Sequence, residues 1–254
     1  MKKLIRIIAV TLILAPLSLN ATPKAAYIWN EIEDGFNYAK FSFKITDSER
    51  STIHAFQIDP KKFRLDVVTA ENEISGSNAR EMAKKNRALL VINGGFFTPE
   101  HKSIGLLIKG GKRVNPIHNT SWWSIFMMKN GKPSIIRPNQ FKMSSNVDMA
   151  LQVGPRLVVD GQIPKLKESF AIRSAVGITR DNKIIIVITS GHGISMNELA
   201  KRMKNSLFQG GLYCKNAMAL DGGSSSQIFV KNGKFEYSQT GFAKVTNGLA
   251  VYRK

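Results

Sequence analysis

Three loops in this sequence hold residue types that can do chemistry together. Asp221-Gly222-Gly223-Ser224-Ser225-Ser226 follows the apolar stretch 217–220. An acid at a strand end, two glycines and three hydroxyls make a polar concavity that can cradle an oxyanion or hold a carboxylate for catalysis. It is not a P-loop, since no Gly-Lys-Ser/Thr follows, and it lacks the Gly-x-Ser-x-Gly of an α/β-hydrolase. Asn93-Gly94-Gly95-Phe96-Phe97 follows the apolar stretch 88–92. Its glycines let backbone N–H groups approach a ligand, and Asn93 can both donate and accept. Arg173-Ser174-Ala175-Val176-Gly177 opens a strand with a planar fork suited to phosphate or carboxylate. Each loop also has a plainer reading: a tight turn with core phenylalanines, a glycine-rich hairpin turn, and a solvated arginine in a basic chain.

Loops so distant in sequence meet only if strands end side by side. Residues 41–45, 52–58 and 63–68 read as consecutive strands rich in aromatic and β-branched residues. Asn130-Gly131, Asp160-Gly161 and Asn232-Gly233 suit hairpin turns, and Asp181-Asn182 suits a fourth, joining 172–179 to 183–189. Residues 78–86 predict a short helix. Residues 196–207 predict a longer one, with Met196, Leu199, Ala200, Met203 and Leu207 on one face and Ser195 and Glu198 as a capping box. No low-complexity linker or repeat divides the chain. The expected fold is a single α+β domain over 40–254, a curved, mainly antiparallel sheet with two principal helices packed on it, after a lead-in at 22–39.

Composition narrows the partners. The chain of 254 residues is 43% hydrophobic and 22% charged, which excludes a disordered or fibrous protein. Thirty-seven Lys and Arg against 18 Asp and Glu give +19, favouring anionic partners. The single cysteine, Cys214, rules out an internal disulfide and a cysteine-based zinc or redox pair. Lys2, Lys3 and Arg6 precede a short apolar run from 7 to 19, and Asn20-Ala21 follows it. This reads as a signal peptide, residues 1–21, cut after Ala21, because 13 residues containing Pro16 are too short to span a bilayer. The rival reading is an uncleaved anchor. Cleavage removes three basic residues and leaves +16 on a mature chain with no later membrane span. The basic residues are spread along the chain rather than gathered in one arm or helix. With export, that argues against a nucleic-acid partner and for a periplasmic or secreted protein.

The motifs taken in order are more specific than any one of them. Asn93-Gly94-Gly95-Phe96-Phe97, then Gly154-Pro155-Arg156-Leu157-Val158 with Asp160-Gly161, then the Arg173 motif, Glu198-Leu199-Ala200, and Leu220 with the Asp221 loop resemble the phosphodiester glycosidase family. That family includes the lysosomal uncovering enzyme, N-acetylglucosamine-1-phosphodiester alpha-N-acetylglucosaminidase. The likeness covers about residues 40–252 and is nearest to a bacterial exported branch, in which Ser121-Trp122-Trp123 and the His54 strand are also similar. It implies an exported hydrolase that cleaves the glycosidic bond of a sugar-1-phosphodiester, of the N-acetylglucosamine type, on a glycan or cell-envelope polymer. Asp221, Arg173 and Asn93 are the expected catalytic residues. Gly94, Gly95, Phe97, Gly154, Arg156, Gly222, Gly223, Ser224 and Ser225 are expected to bind substrate. One departure stands out: many relatives have a third glycine where this chain has Ser224.

The chemistry asks for two things. Charge on the phosphate must be neutralised, which suits Arg173 and the backbone N–H groups of the glycine loops. An oxocarbenium-like sugar must be stabilised, which suits Asp221 as nucleophile or as base for a water, with Asn93 orienting sugar or phosphate. His54 and Glu198 are the candidates for a second acid, Glu198 having the capping box as a sufficient explanation. No cofactor is expected. A calcium or magnesium ion held by Asp221 and carbonyls is an open alternative that no motif supports. The competing reading is a non-catalytic binder of anionic glycans at the cell envelope.

Overall fold

The computed structural model describes residues 27–71 and 74–254. The expected signal segment, residues 1–21, lies outside the described residues.

Burial on both faces explains the most apolar strands. In the run from Ile184, the side chains of Ile184, Ile186 and Ile188 enter the central core, while Ile185 and Val187 join a second cluster behind the sheet. An inward and outward alternation that is apolar on both sides reads as a continuous apolar run. Leu90-Val91-Ile92 follows the same rule, with Val91 facing a third cluster.

The strands form three main sheets in which every pairing among the described residues is antiparallel. The largest runs, in spatial order, Asn30–Glu33, Phe36–Lys44, Arg50–Ile58, Ile184–Gly191, Ser174–Thr179, Cys214–Ala219 and Arg156–Val158. A second is ordered Phe235–Gln239, Ile228–Asn232, Leu90–Asn93, Asn247–Arg253 and Phe63–Thr69. The third is Lys112–Asn115, Leu107–Lys109, Val147–Val153, Ser124–Lys129 and Lys132–Ile136. All three give side chains to one central core, including Phe56, Ile92, Met149 and Leu249. The small ribbon of Phe170–Ala171 with Ile194–Ser195 lies apart from them. The architecture is thus mainly antiparallel α+β, as expected, with the strands divided among sheets.

Each helix closes the outer face of a different sheet. Helix α1, Ala79–Asn86, buries Ala79, Met82 and Ala83 against Val91, Phe229 and Ala250 of the second sheet. Its capping box is Asn78 with Glu81, so Asn78 is the cap and not the first helical residue. Helix α2, Met196–Lys204, packs Leu199, Ala200 and Met203 against Leu157, Ala175 and Ala217 of the largest sheet. Burying Leu199 and Met203 contributes about 1.5–3 kcal/mol each. Gly177 permits the approach: a Cβ there would lie 2.7 Å from Met203 Cε and 2.6 Å from Cys214 Sγ. The helix is shorter than the predicted 196–207. It ends at Asn205, whose backbone is extended, and Leu207 packs on the same cluster from a following 3-10 turn. Half of the expected capping box forms: Ser195 accepts from Glu198 N, but the Glu198 carboxylate pairs with Arg202 instead.

Candidate active site

The site begins with a seam between two sheets. Strand Leu90–Asn93 of the second sheet ends beside the loop that leaves Cys214–Ala219 of the largest. Asn93 Nδ2 donates to the Asp221 carbonyl at 2.7 Å, and Asp221 N donates to the Gly94 carbonyl at 2.9 Å. Asn93 Oδ1 accepts from Ser174 Oγ at 2.7 Å and from Gln227 N at 3.1 Å. One fully buried amide therefore links the three motifs: its own loop, the Asp221 loop and the strand that follows Arg173.

Above this seam opens a cleft of about 730 Å³. Asp221, Arg173, Gly154, Gly222 and Gly223 line it. The Asp221 carboxylate accepts from Gly222 N at 2.9 Å and from the Ser225 side chain. Burial raises its pKa above the ordinary aspartate value, and those two hydrogen bonds oppose the rise. The Arg173 Nη2 donates to the carbonyl and hydroxyl of Ser169 at 2.8 and 2.7 Å. Its Nε is buried with no hydrogen-bond partner among the described residues. Burial lowers the guanidinium's pKa and the Glu168 carboxylate opposes this, but an arginine stays charged throughout the useful pH range. A Cβ at Gly222 would sit 3.3 Å from Arg173 Nη1, so the missing side chain lets the guanidinium lie against the Asp221 loop. The cleft thus presents a carboxylate of raised basicity and a cation with unsatisfied donor capacity, one loop apart.

Several expected contacts lie elsewhere. Asn93 does not line the cleft and its side chain is committed to the seam, so it positions Asp221 rather than touching a ligand. The Gly94 N–H donates to the Asn247 carbonyl and the Gly95 N–H to Asn247 Oδ1, which leaves neither for a phosphate. The Gly223 N–H is taken by the Ile172 carbonyl, although Gly223 itself lines the cleft. Phe97 packs on His101 and the α1 cluster, whereas its neighbour Phe96 enters the cleft beside Trp122. Arg156 is half-buried outside the cleft lining, where burial and the nearby Arg137 lower its pKa. Ser225 sits beneath the Asp221 carboxylate, and Ser224 is exposed in the 3-10 turn Gly223–Ser225, outside the cleft lining. The departure from the third glycine thus adds a side chain towards solvent.

Neither candidate second acid reaches the cleft. His54 is buried, with Nδ1 2.8 Å from Tyr38 Oη, Nε2 3.2 Å from Ser190 Oγ and its ring stacked on Tyr237. Burial, assisted by Lys40, lowers its pKa to about 4. Glu198 is held by Arg202 on α2. Among the described residues no cluster of three or more His, Cys, Asp or Glu is placed to hold a metal ion, and no helix is long and apolar enough to cross a membrane.

The sequence reading missed Lys165, Lys167 and Phe170 in the cleft and Asn247 beneath it; of the two loop phenylalanines able to stack on a sugar it favoured Phe97, whereas Phe96 lines the cleft. Asn247 had a signal: a polar amide at the head of the apolar strand Asn247–Arg253 needs a buried partner.

Known proteins resemble this chain in sequence and in fold. A family model described as phosphodiester glycosidase matches residues 86–252. An uncharacterized protein of Escherichia coli, YigE, is 24% identical over 220 residues, covering 80% of this chain and 83% of its own. The fold is similar to the catalytic domain of zebrafish N-acetylglucosamine-1-phosphodiester alpha-N-acetylglucosaminidase auto-inhibited by its pro-peptide. The TM-score is 0.69 at 17% identity, covering 91% of this chain and 87% of that one. A hypothetical protein from Synechocystis aligns with TM-score 0.64 and 16% identity over 92% of this chain, which spans 64% of that protein.

Proposed function

This chain belongs to the phosphodiester glycosidase family, and on that premise we propose that it is an exported hydrolase of sugar-1-phosphodiesters, of the N-acetylglucosamine type, on a glycan or cell-envelope polymer. The observation that carries the proposal is the meeting of Asp221 and Arg173 in one cleft, separated by a glycine that leaves both accessible. In the reaction the bond between the anomeric carbon and the phosphate oxygen breaks. The oxygen of water ends on the sugar, one of its protons stays there, the other passes to the medium, and the aglycone leaves as a phosphate monoester.

Phosphate is a good leaving group and needs little protonation to depart, so the reaction can run without a strong general acid. That matches a cleft in which Asp221 is the one carboxylate among the described lining residues. Arg173 neutralises the departing phosphate, and Asp221, made more basic by burial, attacks the anomeric carbon or takes the proton from the attacking water. Preorganised charge in a partly dry cleft costs no reorganisation during the reaction.

The basic amino-terminal segment with its short apolar run supports export to the periplasm or beyond. Amino-terminal sequencing of protein recovered from that compartment should find chain starts after Ala21. The activity is tested with a panel of glycosyl phosphodiesters, scoring free sugar against sugar phosphate. Free sugar alone is the expected product. Release of sugar phosphate would place cleavage on the other side of the phosphorus, and tight binding without release would make the protein a glycan binder.

A further inference from the structure

Arg173 and Asp221 account for one phosphate and one sugar, yet the cleft carries more charge and more exposed ring surface than that pair uses. Lys165 and Lys167 also line it, both exposed and neither in an ion pair among the described residues. The acid next to them, Glu168, accepts from Asn197 and Ser195 at the start of α2 and acts on Arg173, so neither lysine is paired with it. The segment is anchored: Ser169 O accepts from Met196 N at 3.0 Å as well as from Arg173. With Glu168 offsetting part of the Arg173 charge, Lys165 and Lys167 are the lining cations without an ion-pair partner among the described residues. A single phosphodiester at Arg173 leaves those two lysines unmatched, and a consecutive one supplies an anion for them.

Ring surface is arranged in the same place. Trp122 and Phe170 line the cleft while remaining 55% and 51% exposed. Trp122 is backed edge-on by the buried Trp123 at 5.6 Å and by Phe96 at 6.3 Å. Gly154 lets this wall press close, since a Cβ there would meet Trp123 Cα at 2.9 Å and the Trp122 carbonyl at 3.1 Å. A rigidly backed but solvent-facing ring offers a flat apolar face to the C–H face of a pyranose.

We propose that the cleft recognises a repeating sugar-phosphodiester chain across at least two repeats. Arg173 takes the scissile phosphate, Lys165 and Lys167 take the next one, and Trp122 and Phe170 stack on the intervening sugars. This rests on the hydrolase reading above for the scissile position and adds the extended substrate that Lys165, Lys167, Trp122 and Phe170 select.

The test compares α-linked N-acetylglucosamine-1-phosphate as a methyl phosphodiester with its three-repeat oligomer. Both are titrated calorimetrically into Asp221→Asn, and free sugar is measured with the wild type. The oligomer should bind about tenfold tighter than the single repeat, with a steeper loss on raising salt, because exposed charges are screened. In Lys165→Ala/Lys167→Ala the ratio of the two affinities should fall to about one. Trp122→Ala should weaken binding of the oligomer by about tenfold. Equal affinities for both lengths, with sugar release intact, overturn the extended site and leave the hydrolase reading standing. A length preference that depends on the lysines, with no sugar released from either compound, supports the extended site and overturns the hydrolase reading instead.

Discussion

Replacing Asn93 separates a positioning role from a catalytic one. Asn93→Ala removes three hydrogen bonds at a fully buried position and leaves the Asp221 carbonyl and Gln227 N–H without that partner. An unmet buried partner costs about 1–3 kcal/mol, and the Ser174 hydroxyl, free to rotate, loses less than the two backbone groups. The sum is about 3–5 kcal/mol, a large share of the ~5–15 kcal/mol that keeps a domain folded. Asn93→Asp sharpens the test. It retains an acceptor for Ser174 and Gln227 but turns the 2.7 Å donor towards Asp221 into a buried anion facing a carbonyl. At neutral pH that variant should be at least as unstable as the alanine. It should recover part of the loss on acidification, when a protonated carboxyl can donate to the Asp221 carbonyl. Urea unfolding followed by tryptophan fluorescence at two pH values reads both effects. A loss below about 1 kcal/mol in Asn93→Ala, with turnover abolished, would refute the structural account and return Asn93 to the reaction.

Asp221→Asn should keep the fold and ligand binding while lowering sugar release by several orders of magnitude. In the proposed mechanism the wild type works through the carboxylate form, so the rate should rise with pH through a limb above the ordinary aspartate range. Ser225→Ala, which removes a hydrogen bond favouring the charged form, should move that limb higher in a pH–rate profile. Arg173→Lys should impair binding and turnover together in steady-state kinetics, because a point charge cannot replace a fork that spans Ser169 and a phosphate. His54 makes stability pH-dependent. Its folded pKa of about 4 lies below the unfolded value near 6.5, so the unfolded chain binds more protons between them. Stability should therefore be full above about pH 6.5 and fall by up to about 3 kcal/mol as pH drops towards 4, a slope that His54→Gln should flatten in denaturation curves.

Much of the scaffold was legible because local rules govern it. Asn130-Gly131 and Asp160-Gly161 both adopt the positive φ values that such hairpin pairs favour, and the Leu199–Met203 stripe of α2 is buried as its spacing requires. What local rules do not carry is the partner of each strand. Phe63–Thr69 pairs with Asn247–Arg253, and Leu90–Asn93 lies between two strands from beyond residue 227. The division into three sheets depends on such pairings, which apolar patterning alone leaves open.

The same limit explains the misread glycines. Asn93-Gly94-Gly95 and Asp221-Gly222-Gly223 look alike in sequence, as two loops stripped of side chains for a ligand. In the fold they serve different approaches. A Cβ at Gly94 would lie 2.2 Å from Asn247 Oδ1, so the first pair is small because another strand's backbone and amide press on it. At Gly222 the neighbour is Arg173 Nη1, the end of a side chain that itself faces the cleft. A glycine motif states only that something comes close. Whether that is protein or ligand follows from its polar partners: Ser174, Gln227 and Asn247 consume the side chain or N–H groups of the first loop, whereas the Asp221 carboxylate borders open space. On the proposed hydrolase reading the asymmetry puts chemistry on the aspartate loop and architecture on the asparagine loop, so variants of the two should fail differently: one folded and inactive, the other unstable.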